Sequence, residues 1–473
     1  MSIKFGTDGW RGVIADDFTF ENVGVVAQAV ADYVKKECKG KKLSDMVVGY
    51  DNRFLAERFA AHIAKVMSEN GINVMLGMKA TPTPAVSLAV TRKKLVAGIM
   101  VTASHNPADF CGIKIKASYG GPASPEITTA VEKNLFKKKK KQSVKLHAGW
   151  VTNEDFNIPY LEKVMSYVDM KLIKNAGLSM VCDSMFGVNG DHLSDVLEGG
   201  NCKVYNINNY RDTMFGGINP EPIEKNLKTL KDKVKENKVD IGIAIDGDAD
   251  RIGVVDDEGE YLPPLHVFPL LLLYFVRNKK LTGRVVQTIS LGYLSERIAK
   301  KYKLDLKIVP VGFKYVVDWM LKPQGIVFGG EESGGYGYNG FIPERDGLLS
   351  ALYFLEMLVK TGKKLSVLRR EMQEEFGQSC FGRTDYRYDP SKFRIDNPKK
   401  FFNKISSKAP ARIMGLKVKE VSTLDGIKYI LEDDSWLLIR ASGTEPLLRI
   451  YSETDSREKT NEILEIGKKI VFE

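Results

Sequence analysis

Three segments of the chain repeat one rhythm: a run of strand-forming residues, a small or polar loop, an amphipathic helix and a second strand. They are "MVVGYDNRFLAERFAAHIAKVMSENGINVMLG" from Met46, "LSMVCDSMFGVNGDHLSDVLEGGNCKVYNIN" from Leu178, and "GRVVQTISLGYLSERIAKKYKLDLKIVPVG" from Gly283. Short β-rich runs separated by helical periodicity predict βαβ units and open α/β sheets. The final hundred residues break the pattern. "GLKVKEVSTLDGIKYILEDDSWLLIRASGTEPLLRIYSETDS" reads as successive strands with a hairpin signal at Asp425-Gly426, and "SREKTNEILEIGKKIVFE" closes as a helix. That order predicts a smaller α+β domain. Boundaries near residues 153, 257 and 373 divide the 473 residues into 1–153, 154–257, 258–373 and 374–473.

At 43% hydrophobic and 27% charged residues, the chain has the balance of a globular protein with sizeable cores. Its longest apolar run, Val267 to Val276, contains Pro269 and is too short for a membrane span. The opening "MSIKFGTDGWRGV" has no apolar stretch of secretory type, so no signal peptide is expected. Five dispersed cysteines (Cys38, Cys111, Cys182, Cys202 and Cys380) lack CxxC spacing. They fit reduced thiols in a cytoplasm and argue against a cysteine zinc site. The net charge of +10 is spread out, apart from Lys137 to Lys141, and that run holds no aromatics for stacking on bases. The excess suits a cationic cleft for small anionic substrates better than a nucleic acid.

Four loops carry the chemistry. In "VDIGIAIDGDADRIGVVDDEG", Asp246, Asp248 and Asp250 alternate with Gly247 and Ala249. Period-two alternation predicts three carboxylates on one side of an extended segment, an oxygen-only set suited to Mg²⁺. An EF-hand is excluded, because Arg251 holds its glycine position and Asp257 its bidentate glutamate position. "LLIRASGTEPLLRIY" places Ser442, Gly443 and Thr444 between Arg440 and Arg449, a turn able to nest a phosphate monoester between guanidiniums. "GGEESGGYGYNGFIPERDG" flanks Glu331, Glu332 and Ser333 with glycines, and such side chains can bond vicinal sugar hydroxyls. In "VTASHNPADFCGIKIK", Ser104 and His105 precede Lys114 and Lys116, which alternate with Ile113 and Ile115 as on a strand with one polar face. Adjacent Ser-His does not make a hydrolase dyad, and the chain has no G-x-S-x-G elbow. A hydroxyl near Mg²⁺ and a lysine can instead accept a phosphoryl group.

With "FGTDGWRGV", "TASHNP", "DGDADR", "GEESGG" and "RASGTEP" in this order, the sequence resembles the α-D-phosphohexomutase superfamily over essentially its whole length, phosphoglucomutases most closely. The resemblance implies a heart-shaped, four-domain protein: three similar α/β domains with mixed sheets and a mobile C-terminal α+β domain, with a hinge before that last domain. Ser104 would carry the phosphoryl group, and Asp246, Asp248 and Asp250 would bind Mg²⁺ together with a Ser104 oxygen. Lys114 would be the general acid/base, aided by His105, Arg11 and Arg251. Glu331 and Ser333 would read sugar hydroxyls. Arg440, Ser442, Gly443, Thr444 and Arg449 would hold the phosphate that is not transferred, and Lys314 would be a further substrate-contacting cation. Cys111 departs from the asparagine common in the family before Gly112, which leaves that amide's hydrogen bond unaccounted for.

The implied reaction interconverts hexose 1- and 6-phosphates through a glucose 1,6-bisphosphate-type intermediate, in a cytoplasmic monomer or homodimer with no nucleic-acid or membrane partner. The "GEESGG" form of the sugar loop points to glucose, since relatives for mannose and glucosamine phosphates carry another residue between Glu and Ser. A phosphomannomutase or dual-specificity enzyme comes next, then a phosphopentomutase. A Mg²⁺-dependent sugar phosphatase and a non-catalytic polyanion binder are the rivals from other classes.

Overall fold

The computed structural model describes residues 3–6, 8–37, 45–137, 148–389, 391, 395, 397–441 and 447–472. The chain divides into two compact units. One comprises Met1–Tyr261, Val317–Gly325 and Ser333–Leu365, and the other Leu262–Val316, Ile326–Glu332 and Ser366–Glu473.

All three repeated segments fold as βαβ units. Strand Met46–Tyr50 runs parallel to Val74–Gly77 across helix Ala56–Glu69. Ser179–Asp183 pairs in parallel with Lys203–Ile207, and Arg284–Thr288 with Asp305–Val309. The helix Ala56–Glu69 shows why the periodicity was sufficient. It buries Ala56, Phe59, Ala60, Ile63, Ala64 and Met67, one stripe at helical spacing, against a cluster that includes Val48, Val74 and Ile99.

The first unit holds a mixed sheet in the order Trp10–Val13, Phe110–Ala117, Ala97–Val101, Met46–Tyr50, Val74–Gly77, Val151–Glu154. The first two junctions are antiparallel and the rest parallel. In its second sheet Ile252–Val255 pairs antiparallel with Ile241–Ile245, which continues through parallel junctions to Ser179–Asp183 and Lys203–Ile207. Helix Gly347–Thr361 starts at Asp346, whose side chain accepts from Leu349 N at 2.7 Å and from the Tyr160 hydroxyl at 3.0 Å. That N-cap fixes the residues just before it, Glu344 and Arg345.

In the second unit, Arg284–Thr288 lies parallel to both Asp305–Val309 and Phe328–Gly330. The apolar run around Pro269 is a buried helix, Pro264–Arg277. Among the described residues no helix is long and apolar enough to cross a membrane. The C-terminal strands form one antiparallel sheet, in the order Cys380–Arg387, Leu447–Thr454, Trp436–Ala441, Ile427–Leu431, Leu416–Ser422, Arg412–Ile413. Helices Pro398–Ser406 and Arg457–Phe472 accompany it, the α+β arrangement that the strand-then-helix order predicts. Gly426 sits at φ +86 in the hairpin, and a Cβ there would lie 2.2 Å from Ile439 O. Only glycine closes this turn.

Candidate functional site

Strand Ala97–Val101 ends in a turn that carries Ser104 before the chain re-enters the sheet at Phe110. Ser104 is fully buried and left-handed, at φ +53. Gly112 lets this turn approach the neighbouring strand, since a Cβ there would meet Trp10 O at 2.6 Å and Thr102 O at 2.7 Å. Cys111 packs into the apolar core of that sheet, and burial pushes its thiol up. A small apolar residue therefore serves the position by packing.

Strand Ile241–Ile245 delivers the acidic loop and Ile252–Val255 carries the chain away antiparallel to it. The three carboxylates converge, but through a turn and not through extended alternation. Ala249 is left-handed at φ +62, and Asp246 Oδ1 accepts from Asp250 N at 2.9 Å and Arg251 N at 3.0 Å. One oxygen from each of Asp246, Asp248 and Asp250 lies within 4.8 Å of the others. Ser104 Oγ donates to Asp246 Oδ2 at 3.2 Å, across 142 residues of sequence.

Cations ring this cluster. Lys114 Nζ lies 2.8 Å from Asp248 Oδ2, 3.0 Å from Asp250 Oδ2 and 3.0 Å from Asp8 Oδ2. Arg345 Nη2 reaches Asp250 Oδ2 at 2.6 Å and Asp8 Oδ2 at 2.9 Å. The Thr83 hydroxyl also donates to Asp248. Burial alone would lower Lys114, but Asp248, Asp250 and Asp8 outweigh it and raise it, so the ammonium stays charged. Burial would raise Asp8 and Asp248, yet Lys114 and its neighbours hold both below the carboxylate range. Asp246 goes the other way, pushed well up by burial and by Asp250 and Asp248.

Despite these cations, Asp248 Oδ1 and Asp250 Oδ1 are buried with no hydrogen-bond partner; the Arg251 Nε beside Asp250 Oδ1 stands at 3.6 Å. Orphaned anionic oxygens beside a carboxylate strained toward protonation are what a hard divalent cation relieves. The donor set fits Mg²⁺.

Three further expected residues border the cluster. Arg11 bonds the Asn106 side chain, and Arg251 follows the acidic loop. His105 Nδ1 is 3.4 Å from Ser104 Oγ. Burial and the nearby Arg251, Arg11 and Lys114 hold the His105 imidazole well below its usual range, hence neutral at neutral pH. Ser333 also belongs to the first unit, and its neighbour Gly334 accepts from Ile252 N at 3.0 Å, tying this glycine-rich stretch to the acidic hairpin. At Gly335 a Cβ would stand 2.2 Å from Arg345 Cδ, so the paired glycines leave room for that side chain.

Lys314, Glu331, Arg440 and Arg449 lie in the second unit, where Lys314 stacks on Tyr315 and Glu331 is buried. Glu332 accepts hydrogen bonds from the hydroxyls of Ser290 and Thr288. Arg440 is directly opposite Arg449 across paired strands, and Asp425 Oδ2 grips Arg440 at Nε (2.9 Å) and Nη2 (2.8 Å). Facing like charges destabilise a sheet unless an anion lies between them. Ser442, Gly443 and Thr444 lie outside the described residues, as do Cys38 and most of the lysine run.

Lys114 and Lys116 share one face of strand Phe110–Ala117, as their alternation with Ile113 and Ile115 predicts. The polar face of strand Phe110–Ala117 looks inward, and Lys116 forms a wholly buried pair with Glu344, itself 3.2 Å from Ser87 Oγ. Removing one partner leaves the other charge buried alone, so Lys116→Met is expected to cost about 3–5 kcal/mol in urea unfolding. Adding Glu344→Leu should recover most of the loss, and no recovery would mean the pair is not the unit of stability.

Sequence reasoning missed Asp8, Thr83 and Arg345. Asp8 stands in the same "FGTDGWRGV" stretch as Arg11, and Arg345 in the same glycine-rich stretch as Glu331. Nothing local marks Thr83.

Comparison with known proteins places these features. Models described as phosphoglucomutase/phosphomannomutase, alpha/beta/alpha domains I, II and III, match residues 2–142, 158–259 and 263–376, and the C-terminal domain model matches 393–466. The chain is 32% identical over 473 residues to a phosphoglucomutase/phosphomannomutase of Thermococcus kodakarensis, covering 100% of this chain and 99% of that one. It is 30% identical to a Methanothermobacter thermautotrophicus protein named probable phosphoglucosamine mutase, covering 98% and 96%. A crystal structure from Thermus thermophilus that carries a provisional phosphomannomutase name is 34% identical over 100% of both chains, with a TM-score of 0.86.

Proposed function

The chain belongs to the phosphoglucomutase/phosphomannomutase family and is a phosphohexomutase, an isomerase of the phosphotransferase kind; within that family we propose that it interconverts glucose 1-phosphate and glucose 6-phosphate through a phosphoserine at Ser104. The observation that carries this reading is the bond from Ser104 Oγ to Asp246, beside two buried carboxylate oxygens without partners and a charged Lys114. Asp246, Asp248 and Asp250, with an oxygen on phospho-Ser104, would hold Mg²⁺. When bound, the ion supplies neutralising charge to the transferring phosphoryl group.

In the forward half-reaction a sugar hydroxyl oxygen attacks phosphorus and gives up its proton while the bond to Ser104 Oγ breaks and that oxygen takes a proton up, giving enzyme and glucose 1,6-bisphosphate. After the bisphosphate reorients, Ser104 Oγ takes the other phosphoryl group and releases the isomer. Lys114 stands within reach of the serine's acidic neighbours as a charged proton donor, with neutral His105 and the guanidiniums of Arg11 and Arg251 around the transferred group. Catalysis of this kind depends on positioning and charge, and here both would come from turns set at the ends of paired strands.

The distal phosphate would be held by Arg440, Ser442, Gly443, Thr444 and Arg449, with Lys314 a further contact to the substrate and with Glu331 and Ser333 on the sugar. The domain limits for this reading are 1–153, 154–257, 258–373 and 374–473. The third residue of "GEESGG", Glu332, supports glucose; relatives named as probable phosphoglucosamine mutases favour glucosamine 1-phosphate as the second reading. Initial rates on glucose, mannose and glucosamine 1-phosphates decide between them. We expect kcat/KM to be highest on glucose 1-phosphate by about tenfold or more, the discrimination one well-placed polar contact supplies. Faster turnover of another sugar would overturn the assignment, and stoichiometric release of inorganic phosphate would point to a phosphatase.

A further inference from the structure

The turn Asp51-Asn52-Arg53 follows strand Met46–Tyr50 and is buried beneath the serine loop, with Arg53 fully inaccessible. Its guanidinium serves four main-chain carbonyls of that loop. Nη2 donates to Ser104 O at 2.8 Å and Asn106 O at 2.7 Å, and Nη1 to Pro107 O at 2.7 Å and Phe110 O at 2.9 Å. Asp51 steadies the fork, with Oδ2 lying 3.3 Å from Arg53 Nε. The same oxygen accepts from the Thr102 hydroxyl at 2.6 Å, and Thr102 Oγ1 in turn accepts from Ser104 N at 2.8 Å. Both the N–H and the C=O of Ser104 are thus tied to one turn, which accounts for a serine holding φ +53.

Asn52 faces the other way. Its Nδ2 donates to Phe186 O at 3.0 Å and Gly187 O at 2.9 Å. Gly187 packs on the acidic loop so closely that a Cβ would lie 2.8 Å from Gly247 Cα, and Val188 N donates to Gly247 O at 3.1 Å. A Cβ on Gly247 would in turn come within 2.7 Å of Ser104 O. Three consecutive side chains therefore grip the serine loop on one side and the support of the acidic loop on the other.

We propose that Asp51-Asn52-Arg53 is a positioning element that sets the register between Ser104 and the acidic loop. The proposal rests on the reading of Ser104 as the phosphoryl carrier. Only a guanidinium can serve it, because its fixed planar fork spans carbonyls that a lysine's single nitrogen cannot reach together. Residues proposed for the sugar and the distal phosphate, Glu331, Arg440 and Arg449, are not part of this grip. Its disturbance should slow transfer without weakening substrate binding.

The test is Arg53→Lys in the full-length protein, with Thr102→Val and Asn52→Ala as smaller perturbations. Two quantities are read: kcat and KM on glucose 1-phosphate, and the rate at which glucose 1,6-bisphosphate with Mg²⁺ phosphorylates Ser104, followed by intact mass. For Arg53→Lys we expect kcat and the phosphorylation rate to fall about 100-fold, the scale of an ångström-sized misplacement, while KM changes by less than about threefold. Thr102→Val and Asn52→Ala should each lose about tenfold with the same split. Phosphorylation of the variants at the wild-type rate overturns the proposal, as does a KM that rises in step with the loss of kcat. If Arg53→Lys fails to fold, Thr102→Val and Asn52→Ala decide on the same criteria. If the wild-type serine is never phosphorylated, the underlying reading falls first, and that result is distinct from variants that match an active parent.

Discussion

Ser104→Ala is expected to abolish mutase turnover while leaving the fold in place. The hydroxyl bonds Asp246 at 3.2 Å, with a longer 3.4 Å contact to His105 Nδ1, whereas the residue's main-chain contacts to Thr102 and Arg53 do not involve the side chain. Loss of that bond costs on the order of 1 kcal/mol. Loss of the attacking and leaving oxygen removes the reaction path, and deleting a nucleophile costs roughly four to six orders of magnitude in kcat. Wild-type protein incubated with glucose 1,6-bisphosphate and Mg²⁺ should gain the mass of one phosphoryl group, and the alanine variant should gain none. Unfolding curves of the two proteins should nearly overlay. Turnover by Ser104→Ala above about a hundredth of wild type, or an equal mass gain in both proteins, would sink the phosphoserine mechanism.

The four-domain α/β architecture was legible because it rests on local periodicity. The helix Ala56–Glu69 announces its buried stripe in its own sequence, and the closing strands announce themselves through strand-forming runs and the hairpin signal Asp425-Gly426. The acidic loop was legible for another reason: its three carboxylates fall within five residues, so repulsion among them can be read without knowing the fold. Even there, the carboxylates converge through a turn and not through period-two alternation. Asp246 folds its own carboxylate back onto the backbone N–H groups of Asp250 and Arg251, and no alternation rule anticipates such a turn.

What could not be read is whatever depends on segments far apart meeting in a dry interior. Lys116 looks like any lysine on an amphipathic strand until Glu344, 228 residues away, is placed against it. Arg345 becomes significant only when Gly335 makes room for it and Asp8 and Asp250 receive its guanidinium. Arg53 is more extreme, since its partners are carbonyl oxygens, and backbone acceptors leave no mark in a sequence. In each case the decisive term is the cost of burying a charge, which a partner in three dimensions must offset.

Asp248→Asn tests whether the acidic cluster serves a cation or merely its own salt bridges. Oδ2 of Asp248 is saturated by Lys114 and Thr83, while Oδ1 has no partner. An amide can keep its oxygen toward Lys114 only by putting its N–H₂ where the unpartnered Oδ1 stands, a group that cannot ligate a cation. Flipped, it presents that N–H₂ to an ammonium. Both orientations fail, and the cluster also loses one negative charge. Because charge neutralisation at the transferring group is the main service of such a site, kcat should fall by roughly two to three orders of magnitude. Mg²⁺ affinity, measured by calorimetry without substrate, should weaken in parallel. Chelation should silence the wild type reversibly, with Mg²⁺ restoring it. The unfolding transition should move little, since Lys114 retains Asp250 and Asp8. If the variant binds Mg²⁺ as the parent does and turns over at a near-normal rate, the loop holds Lys114 and Arg345 in place and nothing more.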